Sequence, residues 1–91
     1  MSREEKLVSD PISSTRMVGR VLVVESDNPP VNALGHAVRK GLYDGAEAAK
    51  SDDVDAVVIA CKGRTFHAGA DIREFGKPPQ APGLGEVIDA F

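Results

Sequence analysis

Tryptophan is absent, tyrosine occurs once, and aromatics make up only 4% of the residues. Cysteine also occurs once, as Cys61. A single thiol closes no internal disulfide and provides no zinc-ligand spacing. Cys61 therefore reads as a small buried hydrophobe in a reducing compartment. Basic residues are not in excess: 11 Lys and Arg stand against 14 Asp and Glu, for a net charge of −3. With so few aromatics and no basic stripe, nucleic acid is not an expected partner. A polyanionic ligand would have to rest on backbone N–H groups and a few local cations. No apolar run is long enough to span a bilayer, so no membrane association is expected. The start, Met1 to Lys6, is charged and is not followed by an apolar core, which argues against a secretory signal and for a cytoplasmic location. His36 and His67 are isolated from other ligand-type side chains, so no metal site is expected. What is present suits one small globular domain with a thin core: 91 residues, 42% of them hydrophobic.

Residues 1–12 are polar, contain Asp10-Pro11, and read as a flexible tail. Ser13 to Val18 predicts a short strand and Gly19-Arg20 a tight turn. Val21-Leu22-Val23-Val24-Glu25 is a β-branched apolar run bounded by turn signals, which predicts a buried strand and completes a hairpin. Pro29-Pro30 cannot continue a ladder. Leu34, Val38, Leu42, Ala46 and Ala49 recur at helical spacing, and Asn32 is the expected N-cap. Gly41 and Gly45 weaken that helix by about 1 kcal/mol each relative to alanine. Their small size would let it lie close to a sheet. Ala56-Val57-Val58-Ile59-Ala60 predicts a second buried strand. Strand, helix and strand at this spacing imply a right-handed crossover between parallel strands. Residues 76–85 read as linker, and Glu86 to Phe91 as the opening of another helix. One helix leaves one face of such a sheet bare, so the α/β fold is expected to be part of a larger one.

The chemistry lies in Phe66-His67-Ala68-Gly69-Ala70-Asp71-Ile72. This stretch follows the second strand, where ligands of open α/β sheets bind. Ala68, Gly69 and Ala70 have almost no side chain, so a ligand could touch the backbone. Fixed N–H groups at such a turn stabilise an oxyanion. A tight loop in which small residues simply fit explains the same letters equally well. Asp71 suits a cap for a short turn from Ile72 to Phe75. Asp71 and Glu74 could also form an acid–base pair, though a cap and a solvated charge are the simpler reading. No P-loop, dinucleotide fingerprint or Ser–His–Asp pattern is legible.

In order and spacing, Asp27-Asn28-Pro29-Pro30-Val31-Asn32-Ala33-Leu34, the helix, the strand Ala56 to Cys61 and the Phe66–Ile72 loop resemble the N-terminal part of the crotonase (enoyl-CoA hydratase/isomerase) superfamily. The stretch Asn28 to Ala33 is especially similar to multifunctional fatty-acid oxidation enzymes, which fuse a hydratase to a 3-hydroxyacyl-CoA dehydrogenase. The resemblance covers residues 13–91. It implies an incomplete crotonase-like (ββα) fold, a hairpin plus a parallel strand–helix–strand crossover. It makes the backbone N–H of Ala70 the first oxyanion donor. It implies that Ala68, Gly69, Asp71 and Ile72 face coenzyme A, that Val31 and Ala33 lie along it, and that Arg73 sits near its phosphates. The second donor and the two catalytic glutamates of the family match nothing in this chain, which is expected to stop before them and to be inactive alone. The implied reaction is hydration of a trans-2-enoyl-CoA in fatty-acid β-oxidation, with isomerase, decarboxylase or thioester hydrolase chemistry, or a non-catalytic binding module, as alternatives. Coenzyme A enters as part of the acyl-CoA substrate. NAD is implied only if a dehydrogenase domain follows, and a homo-oligomer is expected.

Overall fold

The computed structural model describes residues 4–9, as backbone, and 12–91. Four strands form one sheet in the order β1-β2-β3-β4: β1 (Glu4–Ser9), β2 (Ser13–Val18), β3 (Val21–Ser26) and β4 (Ala56–Cys61). The first three are antiparallel neighbours, and β4 runs parallel to β3. Helix α1 (His36–Ala48) makes the crossover, and a seven-residue helix α2 (Leu84–Ala90) packs beside it. The hairpin and the parallel crossover stand as the sequence implies.

β-Strand periodicity decides which side chains meet α1. Leu22 and Val24 pair with Val57 and Ile59 across the β3–β4 ladder, so all four share one face. Leu22, Val24, Val38, Leu42 and Val87 form the buried cluster under that face. Full burial of such a side chain contributes about 1.5–3 kcal/mol. Five of them make a small core for 91 residues.

Four sequence expectations need correction. Residues 1–12 are not all tail, because Glu4–Ser9 pairs with β2 as a strand. Residues 1–3, 10 and 11 lie outside the described residues. The helix starts at His36 with Gly35 as N-cap, not at Asn32. β4 is not fully buried. It is the last strand of the sheet, and one of its faces has no cover, which leaves Val58 46% exposed. Residues 76–85 are not free linker. Arg39 donates to the carbonyls of Gln80 and Pro82, the His36 ring bonds that of Ala81, and α2 already begins at Leu84.

Candidate functional site

Two loops leave the carboxyl ends of the parallel strands and converge. One, residues 27–34, follows β3, and the other, residues 62–71, follows β4. The ladder between the strands ends at Ser26 and Cys61, followed by one bond from Lys62 N–H to the Ser26 carbonyl at 2.9 Å. The loops meet again at an isolated parallel bridge between Leu34 and Ala70. In a parallel bridge one residue turns both its N–H and its C=O towards the partner strand, and the opposite residue turns its own away. Here Leu34 faces inward, donating to the Gly69 carbonyl at 2.7 Å. The Ala70 N–H consequently has no acceptor among the described residues. Gly69 sits at φ 106°, a conformation that only glycine adopts without strain.

Ala70 lines a groove of about 280 Å³ together with Leu34, Phe75, Pro79 and Leu84, and Arg39 and Glu74 also border it. An unengaged N–H donor beside an apolar groove suits a ligand that carries a polar carbonyl on an apolar chain. A cavity of about 430 Å³ at the other end of the sheet is lined by Met17, Gly19, Arg20 and Val54. It lies by the amino end of β3, opposite the end from which the converging loops leave, and shares no lining residue with the groove at Ala70.

The other expected site residues lie in the same two loops and in the 3₁₀ turn that follows the second. Ala68 and Ile72 are exposed, Ile72 at 75%, and the Ile72 carbonyl accepts from the Phe75 N–H at 3.2 Å. Val31 is exposed and Ala33 half-buried on the facing loop. Asp71 is buried and caps the 3₁₀ turn Ile72–Glu74, accepting from the Arg73 N–H at 3.0 Å. The Arg73 guanidinium grips the same carboxylate at 2.8 and 2.6 Å and reaches the Asn28 amide oxygen at 3.3 Å. The Arg73 charge is thus partly neutralised by Asp71, although most of its side chain stays in solvent.

Asp71 and Glu74 do not form an acid–base pair. Glu74 accepts from the His36 N–H at 2.6 Å and pairs with Arg39 at 2.8 Å, and these partners lower its pKa. It anchors the turn to the start of α1. Gly35 fits between them, since a Cβ there would lie 2.8 Å from Asp71 Oδ2 and 3.2 Å from Glu74 Oε2.

The Arg73 hydrogen bonds and charge hold the Asp71 pKa at about 2, below the ordinary 3.8. A carboxylate with a lowered folded-state pKa stabilises the fold above its unfolded value, and that contribution disappears as pH falls through the folded value. The Arg73 amide resonance should therefore titrate with a midpoint near 2, and Asp71→Asn should abolish that step. A midpoint near 4 would show that the Asp71–Arg73 grip does not exist in solution.

Two features escaped the sequence reading. His67 bonds Ser26 Oγ through Nε2 at 2.9 Å, and burial lowers its pKa, so the ring is neutral at physiological pH. Ser26 is fully buried at the end of β3, which makes this pair a structural contact between the loop and the strand rather than an exposed nucleophile. The other is Asn32, whose side chain joins the two loops. Neither had a sequence signal, since the partners lie 30 or more residues away.

Comparison with known proteins supplies the context. A peroxisomal bifunctional enzyme from Danio rerio is 46% identical over 72 residues, which is 78% of this chain and 10% of that protein. A hexahydroindene-carboxyl-CoA hydrolase from Mycobacterium tuberculosis is 37% identical over 81 residues, 88% of this chain and 32% of that protein. Among solved structures, an enoyl-CoA hydratase/isomerase family protein from Silicibacter pomeroyi superposes with a TM-score of 0.64 at 26% identity, covering 87% of this chain and 34% of that one. The chain belongs to the crotonase superfamily and covers its N-terminal part. No family model matches it. The described elements have an incomplete crotonase-like architecture, and the chain spans a third or less of the two curated relatives named here. Among the described residues, no helix is long and apolar enough to cross a membrane.

Proposed function

We propose that this crotonase-superfamily chain supplies the coenzyme-A-facing half of an enoyl-CoA hydratase site. In this reading the Ala70 N–H is one of two donors to the thioester oxygen. Ala68, Gly69, Asp71 and Ile72 offer the coenzyme their backbone, Val31 and Ala33 flank it, and Arg73 lies towards its phosphates. The observation that carries the reading is the unengaged Ala70 N–H beside an apolar groove, produced by the one-sided Leu34–Ala70 bridge.

The chemistry follows from where charge develops. When water adds across the double bond of a trans-2-enoyl-CoA, negative charge accumulates on the thioester oxygen. A donor already fixed at that point lowers the barrier, because it does not need to reorganise as the charge forms. A bond made to the oxygen mainly in the transition state raises turnover more than it tightens substrate binding. Water activation and proton transfer need carboxyl groups, and Asp71 and Glu74, the two nearest the groove, are already committed to Arg73 and Arg39. In this reading the acid–base groups are therefore not among the residues that line this groove. The hydrolase name of one relative favours a second reading, in which the same donor serves thioester hydrolysis. The two differ in whether the acyl-CoA bond survives.

A titration of the 91-residue chain, followed by amide resonances, tests the reading. Butyryl-CoA should move the Ala70 amide proton downfield, and coenzyme A without an acyl group should move it much less. Crotonyl-CoA should keep its conjugated thioester absorbance in the presence of the chain alone. An Ala70 amide that stays in place at saturating butyryl-CoA defeats the proposal, and turnover of crotonyl-CoA defeats the assignment of the acid–base groups.

A further inference from the structure

We propose that Asn32 is the positioning residue for the Ala70 N–H, setting the spacing of the two site loops through its side-chain amide. The role at Ala70 rests on the reading above, whereas the loop tie itself rests on geometry alone. Asn32 is 3% exposed and sits at φ 54°, the left-handed region that asparagine tolerates better than other residues with a side chain. The carboxamide bonds both its own loop and the facing one. Its Oδ1 accepts from the Asn28 N–H at 2.8 Å, which fixes the near end. Its Nδ2 donates to the Lys62 carbonyl at 2.9 Å and the Thr65 carbonyl at 2.6 Å, one hydrogen to each.

The position of those bonds gives them their consequence. The backbone ladder stops at the Lys62–Ser26 bond and resumes only at Leu34–Gly69. In the interval the Asn32 amide makes two bonds from one loop directly to the backbone of the other. Thr65 is five residues before Ala70, and Asn32 is two before Leu34, the bridge partner of Ala70. The same carboxamide thereby sets the approach of both chain segments to the bridge. Asn28 extends the tie, donating to the Ala33 carbonyl at 2.9 Å and accepting from Arg73. No other side chain meets all three demands. Aspartate keeps the shape and the acceptor but would set an oxygen against two carbonyl oxygens. Glycine keeps the left-handed backbone and removes the tie.

These two substitutions, Asn32→Asp and Asn32→Gly, separate the tie from the turn. Hydrogen exchange of the Leu34 amide should quicken roughly tenfold or more in both variants, as expected for losing bonds that close a local opening. Exchange of the Val24 amide, inside the sheet, should stay near the parent rate. The shift of the Ala70 amide on adding butyryl-CoA should shrink to less than about half of the parent value, since an oxyanion donor acts only when held on target. Parent-like Leu34 exchange and Ala70 shifts in either folded variant would overturn the proposal. So would equal acceleration at Leu34 and Val24, or unfolding of both variants, because Asn32 would then serve the whole fold rather than this junction. A parent chain whose Ala70 amide ignores butyryl-CoA defeats the oxyanion reading instead, and the Leu34 rates still decide whether Asn32 positions the loop.

Discussion

Replacing the Ala70 amide by an ester in a complete enzyme built on this chain should lower turnover by on the order of a hundred- to a thousandfold, equivalent to about 3–4 kcal/mol of transition-state stabilisation. The ester keeps the shape of the backbone and puts an oxygen in place of the N–H. It also makes the Gly69 carbonyl a weaker acceptor, and that carbonyl holds the Leu34 N–H at 2.7 Å, so Leu34 amide exchange has to be measured alongside the rate to show that the Leu34–Ala70 bridge survives. The effect should fall on kcat, with coenzyme A affinity close to the parent value, since the donor strengthens as charge develops on the thioester oxygen. Ala70→Ser retains the N–H and should keep most of the activity. Ala70→Pro should resemble the ester in rate, but it also restricts the backbone, so its coenzyme affinity has to be measured alongside. Stopped-flow loss of crotonyl-CoA absorbance reads kcat, and a competition titration with coenzyme A reads binding. If the ester variant folds, binds and turns over at the parent rate, Ala70 is only a wall of the groove and the small residues of the loop serve packing.

What the sequence revealed depended on the range of the interaction. β3, α1 and β4 were legible because each writes its own period: apolar runs at Val21–Val24 and Ala56–Ala60, and a helical stripe at Val38, Leu42 and Ala46. The Asp71 cap was legible because donor and acceptor are two residues apart. β1 was not, because Glu-Glu-Lys-Leu-Val-Ser has no alternating pattern and its strand character comes from pairing with β2. Asn32 was misassigned as an N-cap for a related reason. Its type and its place shortly before the helix fit a cap, while the partners that occupy its amide are 30 and 33 residues further along. The bracing of residues 80–82 by Arg39 and His36 spans more than 40 residues and looked like a Pro/Gly-rich linker for the same reason. The site loop was recognisable through its resemblance to the superfamily. From the residues alone, a ligand loop and a merely tight loop were equally good readings. The observation that supports the ligand reading is the one-sided bridge, and that is a property of two loops rather than one.

Gly45→Ala should destabilise the fold by about 1–3 kcal/mol, although helix propensity alone predicts a gain of about 1 kcal/mol. Gly45 is buried within α1 and faces the sheet. A Cβ there would meet Val24 Cγ2 at 2.5 Å and Cγ1 at 3.3 Å. Val24 cannot easily turn aside. It is fully buried in the central cluster, and a β-branched side chain has few allowed χ1 settings. The helix must then lift from the sheet along the line that also packs Val38 and Leu42, and so loosen the core on which α2 rests through Val87. Gly85 provides the control. It lies in α2, a Cβ on it would meet nothing within 4 Å, and Gly85→Ala should stabilise by about 0.5–1 kcal/mol. Urea denaturation of the two single variants should therefore give midpoints displaced in opposite directions. A double-mutant cycle identifies the cause. Val24→Ala costs stability by opening a cavity, but in that background the added methyl at position 45 has somewhere to go. Gly45→Ala should become neutral or stabilising there, reversing its sign. An equal penalty in both backgrounds would mean that Val24 is not what the methyl strikes, and that the close approach of α1 to β3 is not what requires a glycine at this position.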